Sequence, residues 1–153
     1  MEKILVLGIG NRLMMDDGIG IYVVEELSKR ACLANSQYVI GESDIDYCLA
    51  QMEGATFVII VDAVYCGKAP GELTVYPLEQ LLDHPTLNIS PHNMHLFQVL
   101  YLQRDTMKGF LIGVEPSEIK FHLGLSQSLQ RKWQQIIDKV NRTIENIVAY
   151  EVK

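Results

Sequence analysis

The chain has 153 residues, enough for one domain with a sizeable core. Hydrophobic residues at 48% and charged residues at 21% are ordinary for a globular protein, and no apolar run reaches the about eighteen residues of a membrane span. A net charge of −6 argues against a nucleic-acid partner, because phosphate binding needs a basic surface.

The first seventeen residues carry the densest pattern. Ile4-Leu5-Val6-Leu7 is a short apolar run and predicts a buried strand. Gly8-Ile9-Gly10-Asn11 then marks a sharp turn with close backbone approach. Arg12 to Met15 lead to the acidic pair Asp16-Asp17, and Gly18-Ile19-Gly20 opens a helix with an apolar stripe at Ile19, Val23, Val24 and Leu27. Three readings compete here. Gly8-Ile9-Gly10 opens a dinucleotide fingerprint, but Leu13 stands where its third glycine belongs, and the carboxylates would repel a pyrophosphate. The acidic pair also suits a helix N-terminus through capping and the dipole. The third reading is a carboxylate held at the carboxyl edge of a parallel sheet, where α/β proteins place ligands.

Tyr38 to Gly41 reads as a short second strand. Ile45 to Met52 reads as a helix capped by Ser43 or Asp44 and ended by Gly54. Thr56 to Val61 is apolar on both faces, as in a central parallel strand, and ends in Asp62. Gly67 to Gly71 is a turn, Glu72 to Tyr76 a further strand, and Pro77 starts a short helical piece through Leu82. Asp83 to Ser90 is a loop, closed by Pro91-His92. Asn93 to Arg104 has helical spacing, and Phe110 to Val114 is the last strand. The final segment is one long helix with a stripe at Leu129, Trp133, Ile136, Ile137, Val140, Ile144, Ile147 and Val148, which predicts a buried Trp133. Ser126 or Ser128 is its cap.

Strands alternating with helices predict one α/β domain over residues 1–153, a single three-layer unit. Its sheet is mostly parallel and twisted, with helices on both faces. Cys32, Cys48 and Cys66 are odd in number, widely spaced and without a C-x-x-C, and read as reduced, mostly buried thiols. No basic region with a following apolar segment opens the chain, so no signal peptide is expected and the cytoplasm is the expected compartment.

Asp17 follows the first strand, Asp62 ends the central one, and His92 opens a helix. Loops at one edge of a parallel sheet meet, so the three residues can converge there. Two carboxylates and an imidazole are a usual ligand set for a zinc-like or nickel-like ion. Taken singly, each has an ordinary structural reading: Asp62 capping a turn, His92 bonding locally at a helix start. His95 lies one helical turn beyond His92 and reads as solvent-facing or partly packed, His84 and His122 as surface residues, and Asp16 as a cap or a support to Asp17. No serine or cysteine triad is recognisable, and no motif marks Cys66 as a nucleophile.

Four motifs, in order along nearly the whole chain, resemble those of the hydrogenase maturation endopeptidases. They are Leu5-Val6-Leu7-Gly8-Ile9-Gly10-Asn11 with Asp16-Asp17-Gly18-Ile19-Gly20; Ile60-Val61-Asp62-Ala63 with Pro70-Gly71-Glu72; Ser90-Pro91-His92-Asn93-Met94; and Gly113-Val114-Glu115-Pro116 with Gly124-Leu125-Ser126. The resemblance implies an endopeptidase that removes a C-terminal peptide from the nickel-loaded large-subunit precursor of a [NiFe] hydrogenase. It implies that Asp17, Asp62 and His92 meet the metal, with glutamate in many relatives where Asp17 stands. Nickel comes with the substrate, and another divalent ion such as zinc or cadmium suits the same donors. No nucleic acid, membrane or oligomeric state is implied. One loop departs from the pattern. Relatives carry an Asp-Gly-Gly-Thr-like loop after the second strand, and here Ile40-Gly41-Glu42-Ser43 stands in its place. That change motivates the alternative of a non-catalytic metal- or partner-binding protein of the same fold. A nucleotide-binding protein is a third, weaker alternative.

Overall fold

A computed structural model describes residues 3–30, 33–83 and 91–151. Among the described residues, five strands form one sheet in the order β2-β1-β3-β5-β4. They are β1 (Ile4–Ile9), β2 (Ser36–Glu42), β3 (Phe57–Ala63), β4 (Leu73–Pro77) and β5 (Lys108–Val114). β1 pairs in parallel with β2 and β3, and β3 with β5, while β4 lies antiparallel along β5 at the edge. The mostly parallel sheet expected from the strand pattern is therefore present, with one antiparallel edge strand.

The helices are α1 (Ile19–Arg30), α2 (Ile45–Met52), α3 (Pro91–Leu102), α4 (Gln127–Arg131) and α5 (Trp133–Glu151). Successive strand residues face opposite sides, and the core divides accordingly. Ile4, Val6, Ile59, Val61, Ile112 and Val114 pack against α1, α4 and α5. Leu5, Leu7, Val58, Ile60 and Leu111 pack against α2, α3 and the 3₁₀ turn Leu78–Asp83. β3 is buried along its whole length because it is central and covered on both faces, which is why its sequence shows no polar alternation.

Three expectations need correction. β2 is longer than Tyr38–Gly41, because its polar first residues Ser36 and Gln37 pair with Ile4 and Leu5 on an outer strand where one face need not be apolar. The final helix is broken. Ser126 caps only the short α4, its hydroxyl accepting from the Leu129 amide, and the chain leaves the α-helical path at Lys132 before α5 begins. Trp133 opens α5 and is half-buried, lining a shallow hollow with Tyr22, Leu125 and Gln130. Its position in the stripe is real, and it packs against the core, but it is only half-buried while Leu129 before it and Ile136 after it are fully enclosed. Asp83, expected to open a loop, is the last residue of the 3₁₀ turn; the rest of the expected Asp83–Ser90 loop, with His84, falls at residues 84–90, outside the described residues, as does Cys32.

Candidate active site at the carboxyl edge of the sheet

From β1 the chain first moves outward to β2 and then returns past β1 to β3, so the direction of winding reverses between β1 and β3. In open α/β sheets that crevice, beyond the carboxyl ends of the two strands, is where ligands bind. The turn after β1 and the end of β3 both deliver carboxylates there.

The glycines make the turn after β1 possible. Gly10 has φ +142°, and a side chain on it would overlap the Asp17 carbonyl oxygen. A side chain at Gly20 would overlap the Val61 carbonyl oxygen, so this glycine lets α1 sit directly on β3 next to Asp62. The glycine pattern thus closes a turn and seats a helix, and the dinucleotide reading is not needed to explain it. The 3₁₀ turn Met15–Gly18 carries both aspartates. Asp17 is half-buried, and its Oδ2 accepts from the Asn11 amide at 3.0 Å.

Asp62 is fully buried. Its Oδ1 accepts from the Ala63 amide at 2.8 Å, and its Oδ2 accepts from Asn93 Nδ2 at 2.7 Å. Burial, and then the like charge of Asp17, hold its carboxyl well above the usual carboxylate range; the two hydrogen bonds pull only partly the other way. The charge of Asp17 therefore acts on Asp62 across this edge.

His92 is the second residue of α3. Its side chain is outside the described residues. Asn93, its neighbour, is buried and bonded to Asp62, so the first turn of α3 is held against the same edge. Among the described residues, no three histidine, cysteine, aspartate or glutamate side chains form a group able to hold a metal. The two carboxylates do fit a divalent cation chemically: one is desolvated and both are anionic when deprotonated, which favours a hard or borderline ion between them.

Two buried acids do different work. Asp16 caps no helix of its own. Its Oδ2 accepts from Ser117 N at 2.9 Å, Glu118 N at 2.9 Å and Ser126 Oγ at 2.7 Å, and its Oδ1 from Ser126 N at 2.8 Å. Glu115 Oε1 accepts from the amides of Cys66 and Lys68, pinning the turn that follows β3. Sequence reasoning named Asn93 and Glu115 only as letters of motifs and gave them no role. An asparagine at a helix start beside a candidate ligand was the available signal for Asn93; Glu115 offered none, because its partners lie nearly fifty residues away.

The remaining candidates take ordinary places. His95 is exposed. His122 is exposed and contributes its backbone, donating to Leu13 O and accepting from Met15 N. Cys48 is buried, and burial foremost pushes its thiol up to about 11. Cys66 is a half-buried free thiol. In the departing loop, Glu42 keeps φ +52°, the left-handed region that glycine adopts without strain. Its side chain accepts from Arg12 Nε at 3.4 Å, and Ser43 Oγ donates to Gly10 O. The loop therefore follows a backbone path that a glycine at this position would take, with a glutamate on it.

A five-stranded α/β sheet with an acidic centre at its reversal point defines the molecule as an α/β protein with an active-site-like edge. Comparison with known proteins makes the class specific. The family model described as hydrogenase maturation protease matches residues 21–143. The hydrogenase 2 maturation protease of Escherichia coli K12 is 32% identical over 145 residues, covering 90% of this chain and 88% of that protein. The solved structure of the hydrogenase maturating endopeptidase HybD from E. coli superposes with a TM-score of 0.76 at 27% identity, covering 94% of this chain and 93% of that one. The solution structure of an E. coli endopeptidase gives 0.77 at 28% identity, covering 99% and 95%. The chain belongs to the hydrogenase maturation protease family, and is a hydrolase of the protease class.

Proposed function

We propose that the protein removes a C-terminal peptide from the nickel-loaded large-subunit precursor of a [NiFe] hydrogenase, in the cytoplasm, with Asp17, Asp62 and His92 meeting the metal. The observation that carries this reading is the pairing of two carboxylates at the sheet's reversal point, one of them fully buried. Burying a carboxylate beside another is unfavourable for the folded chain alone, and such arrangements cluster where function requires them. A cation arriving with the substrate would relieve the repulsion.

Each residue has a task the geometry suits. Ala63 N–H and the Asn93 amide fix both oxygens of Asp62, so it meets the incoming group in one orientation. The Asn11 amide holds one oxygen of Asp17 and leaves the half-buried side chain accessible from the edge. His92 follows Pro91, whose fixed φ restricts the loop's path, and its imidazole is the softer donor that nickel or zinc prefers over carboxylate alone. Nickel carried by the precursor supplies a Lewis acid that polarises the scissile carbonyl. A carboxylate of the pair takes the proton of the attacking water, a role favoured by the proton affinity that burial and the neighbouring charge raise in Asp62.

The test is incubation of the purified protein with nickel-loaded and nickel-free precursor, followed by mass spectrometry of the large subunit. Shortening of the nickel-loaded form alone is expected. A stable complex without shortening would instead support the non-catalytic binder that the Gly41-Glu42-Ser43 loop motivates. The left-handed backbone at Glu42, a conformation natural to glycine, weighs against that second reading.

A further inference from the structure

We propose that Asp16 is a positioning residue for the reaction: its buried carboxylate fixes the turn that aims Asp17 by tying it to segment 117–126. The proposal rests on the assignment of Asp17 to the site given above.

Asp16 is fully buried, yet none of its side-chain hydrogen bonds serves its own turn or helix α1. All four donors, Ser117 N, Glu118 N, Ser126 N and Ser126 Oγ, lie more than a hundred residues along the chain. A carboxylate whose purpose was helix capping would take amides of its own first turn. Asp16 instead locks two segments that have no strand or helix in common. Main-chain bonds run beside it: Asp16 N donates to Glu118 O, and Met15 N to His122 O.

The turn held in this way is a strained one. Met15 has φ +51°, an uncommon conformation for a side chain without the compensations of asparagine or glycine. Such a residue keeps its conformation only where the surroundings over-determine it. The bonds of Asp16, one residue later, supply that constraint. Asp17 follows immediately, so its carboxylate inherits the placement. Reacting groups need to be held within about 0.5 Å of the productive geometry, and supporting hydrogen bonds of this kind are what hold them.

The test uses Asp16→Asn, Ser126→Ala and Ser126→Thr in the full chain. Asp16→Asn keeps the shape but turns an amide N–H₂ toward backbone donors. Ser126→Ala removes the hydroxyl's bond to Asp16 together with its cap on the Leu129 amide, and Ser126→Thr keeps the hydroxyl for both. Two quantities are read well below each variant's Tm: kcat and KM for the nickel-loaded precursor, and the NMR resonance of the Asn11 amide, which is bonded to Asp17 Oδ2. We expect kcat to fall roughly 10- to 100-fold in Asp16→Asn with KM little changed. Ser126→Ala should lose less in the same direction, and Ser126→Thr should recover. The Asn11 resonance should move in the two defective variants and return in Ser126→Thr. Should Asp16→Asn fail to fold, the Ser126 pair decides. Folded variants with wild-type kcat overturn the proposal, as does a fall in kcat with Asn11 unmoved. A wild-type protein that cleaves no precursor overturns the proposed function instead, and the Asn11 resonance then judges the positioning claim alone.

Discussion

Asp16 and Asp62 are the same residue type with the same complete burial, yet they sit at opposite ends of what a buried charge can be. Asp16 is surrounded by donors, four hydrogen bonds from segment 117–126. Asp62 has two donors and faces a second carboxylate, Asp17. The first arrangement satisfies its charge within the fold. The second leaves a charge that the fold alone disfavours, which is the physical mark of a site awaiting a partner. Burial by itself therefore distinguishes nothing; the balance of donors and neighbouring charge does.

The largest effects should come from breaking the Asp62 side. Asp62→Asn should lower precursor cleavage by roughly 10²–10⁴-fold, as measured by the rate of large-subunit shortening. His92→Ala should lower it comparably with the fold intact by circular dichroism. Cleavage by the wild type should also fall in acid as the imidazole protonates and ceases to ligate. Wild-type rates in either variant would remove that residue from the mechanism.

Breaking the Asp16 side should instead destabilise the folded protein. Asp16→Ala strands the amides of Ser117, Glu118 and Ser126. It should lower stability by roughly 2–4 kcal/mol, the range expected when several donors lose their acceptor. A shift of the urea midpoint at constant slope measures it. No change in midpoint would mean that water replaces the carboxylate and the contrast between the two aspartates is empty.

These two regions also differ in how far the sequence announces them. β3 was legible because a central strand covered on both faces must be continuously apolar, and its terminal aspartate stands out against that run. The acidic pair Asp16-Asp17 was legible because glycines bracket it at close-approach positions, and the family resemblance singled out Asp17. The convergence of Asp17 with Asp62 followed from placing both at strand ends of a parallel sheet. The partners of Asp16 were not legible, because the bonds join segments more than a hundred residues apart and involve backbone amides that any sequence possesses. The break between α4 and α5 was hidden for a related reason: no glycine or proline marks Lys132, and the stripe continues through it. The half-burial of Trp133 depends on where the helix begins relative to the sheet, which periodicity does not report.

A smaller effect sharpens the comparison through pH. Burial and Asp17 raise the folded pKa of Asp62 above its value in the unfolded chain, about 3.9. Below that unfolded value Asp62 is protonated in both states, and its contribution to stability is fully present. As pH rises, the unfolded chain gives up the proton first, so it binds fewer protons than the folded chain and stability falls with pH. The decline ends once pH passes the folded pKa. Asp62→Asn removes this dependence, and the Asn93 amide can turn to present its oxygen to the new side chain. In metal-free protein, Asp62→Asn should therefore match the wild type near the unfolded value and exceed it in stability as pH rises. Urea unfolding of both proteins across the pH range gives the difference directly. A difference independent of pH would show that Asp62 does not titrate with folding.

The smallest effect is expected at an exposed carboxylate beside the same turn, which serves as the control for the two buried ones. Glu42 lies at the end of β2 with φ +52°. A non-glycine residue in the left-handed region costs about 1 kcal/mol relative to glycine. Its compensation is the ion pair with Arg12 at 3.4 Å, but the glutamate side chain is 59% exposed, and exposed pairs of this kind contribute little. Arg12 has a closer partner in Glu25 at 2.8 Å and keeps it when Glu42 is gone. Glu42→Gly also gives the unfolded chain more freedom, which offsets part of the relief. The balance favours a gain of about 0.5 kcal/mol, read as a small rise in the urea midpoint. Precursor cleavage should be retained, because the backbone bonds from Gly10 N to Glu42 O and from Ser43 Oγ to Gly10 O do not involve the glutamate side chain. A marked loss of cleavage in stable Glu42→Gly would give this carboxylate a part in substrate contact, and the division between the buried aspartates and the exposed glutamate would no longer hold.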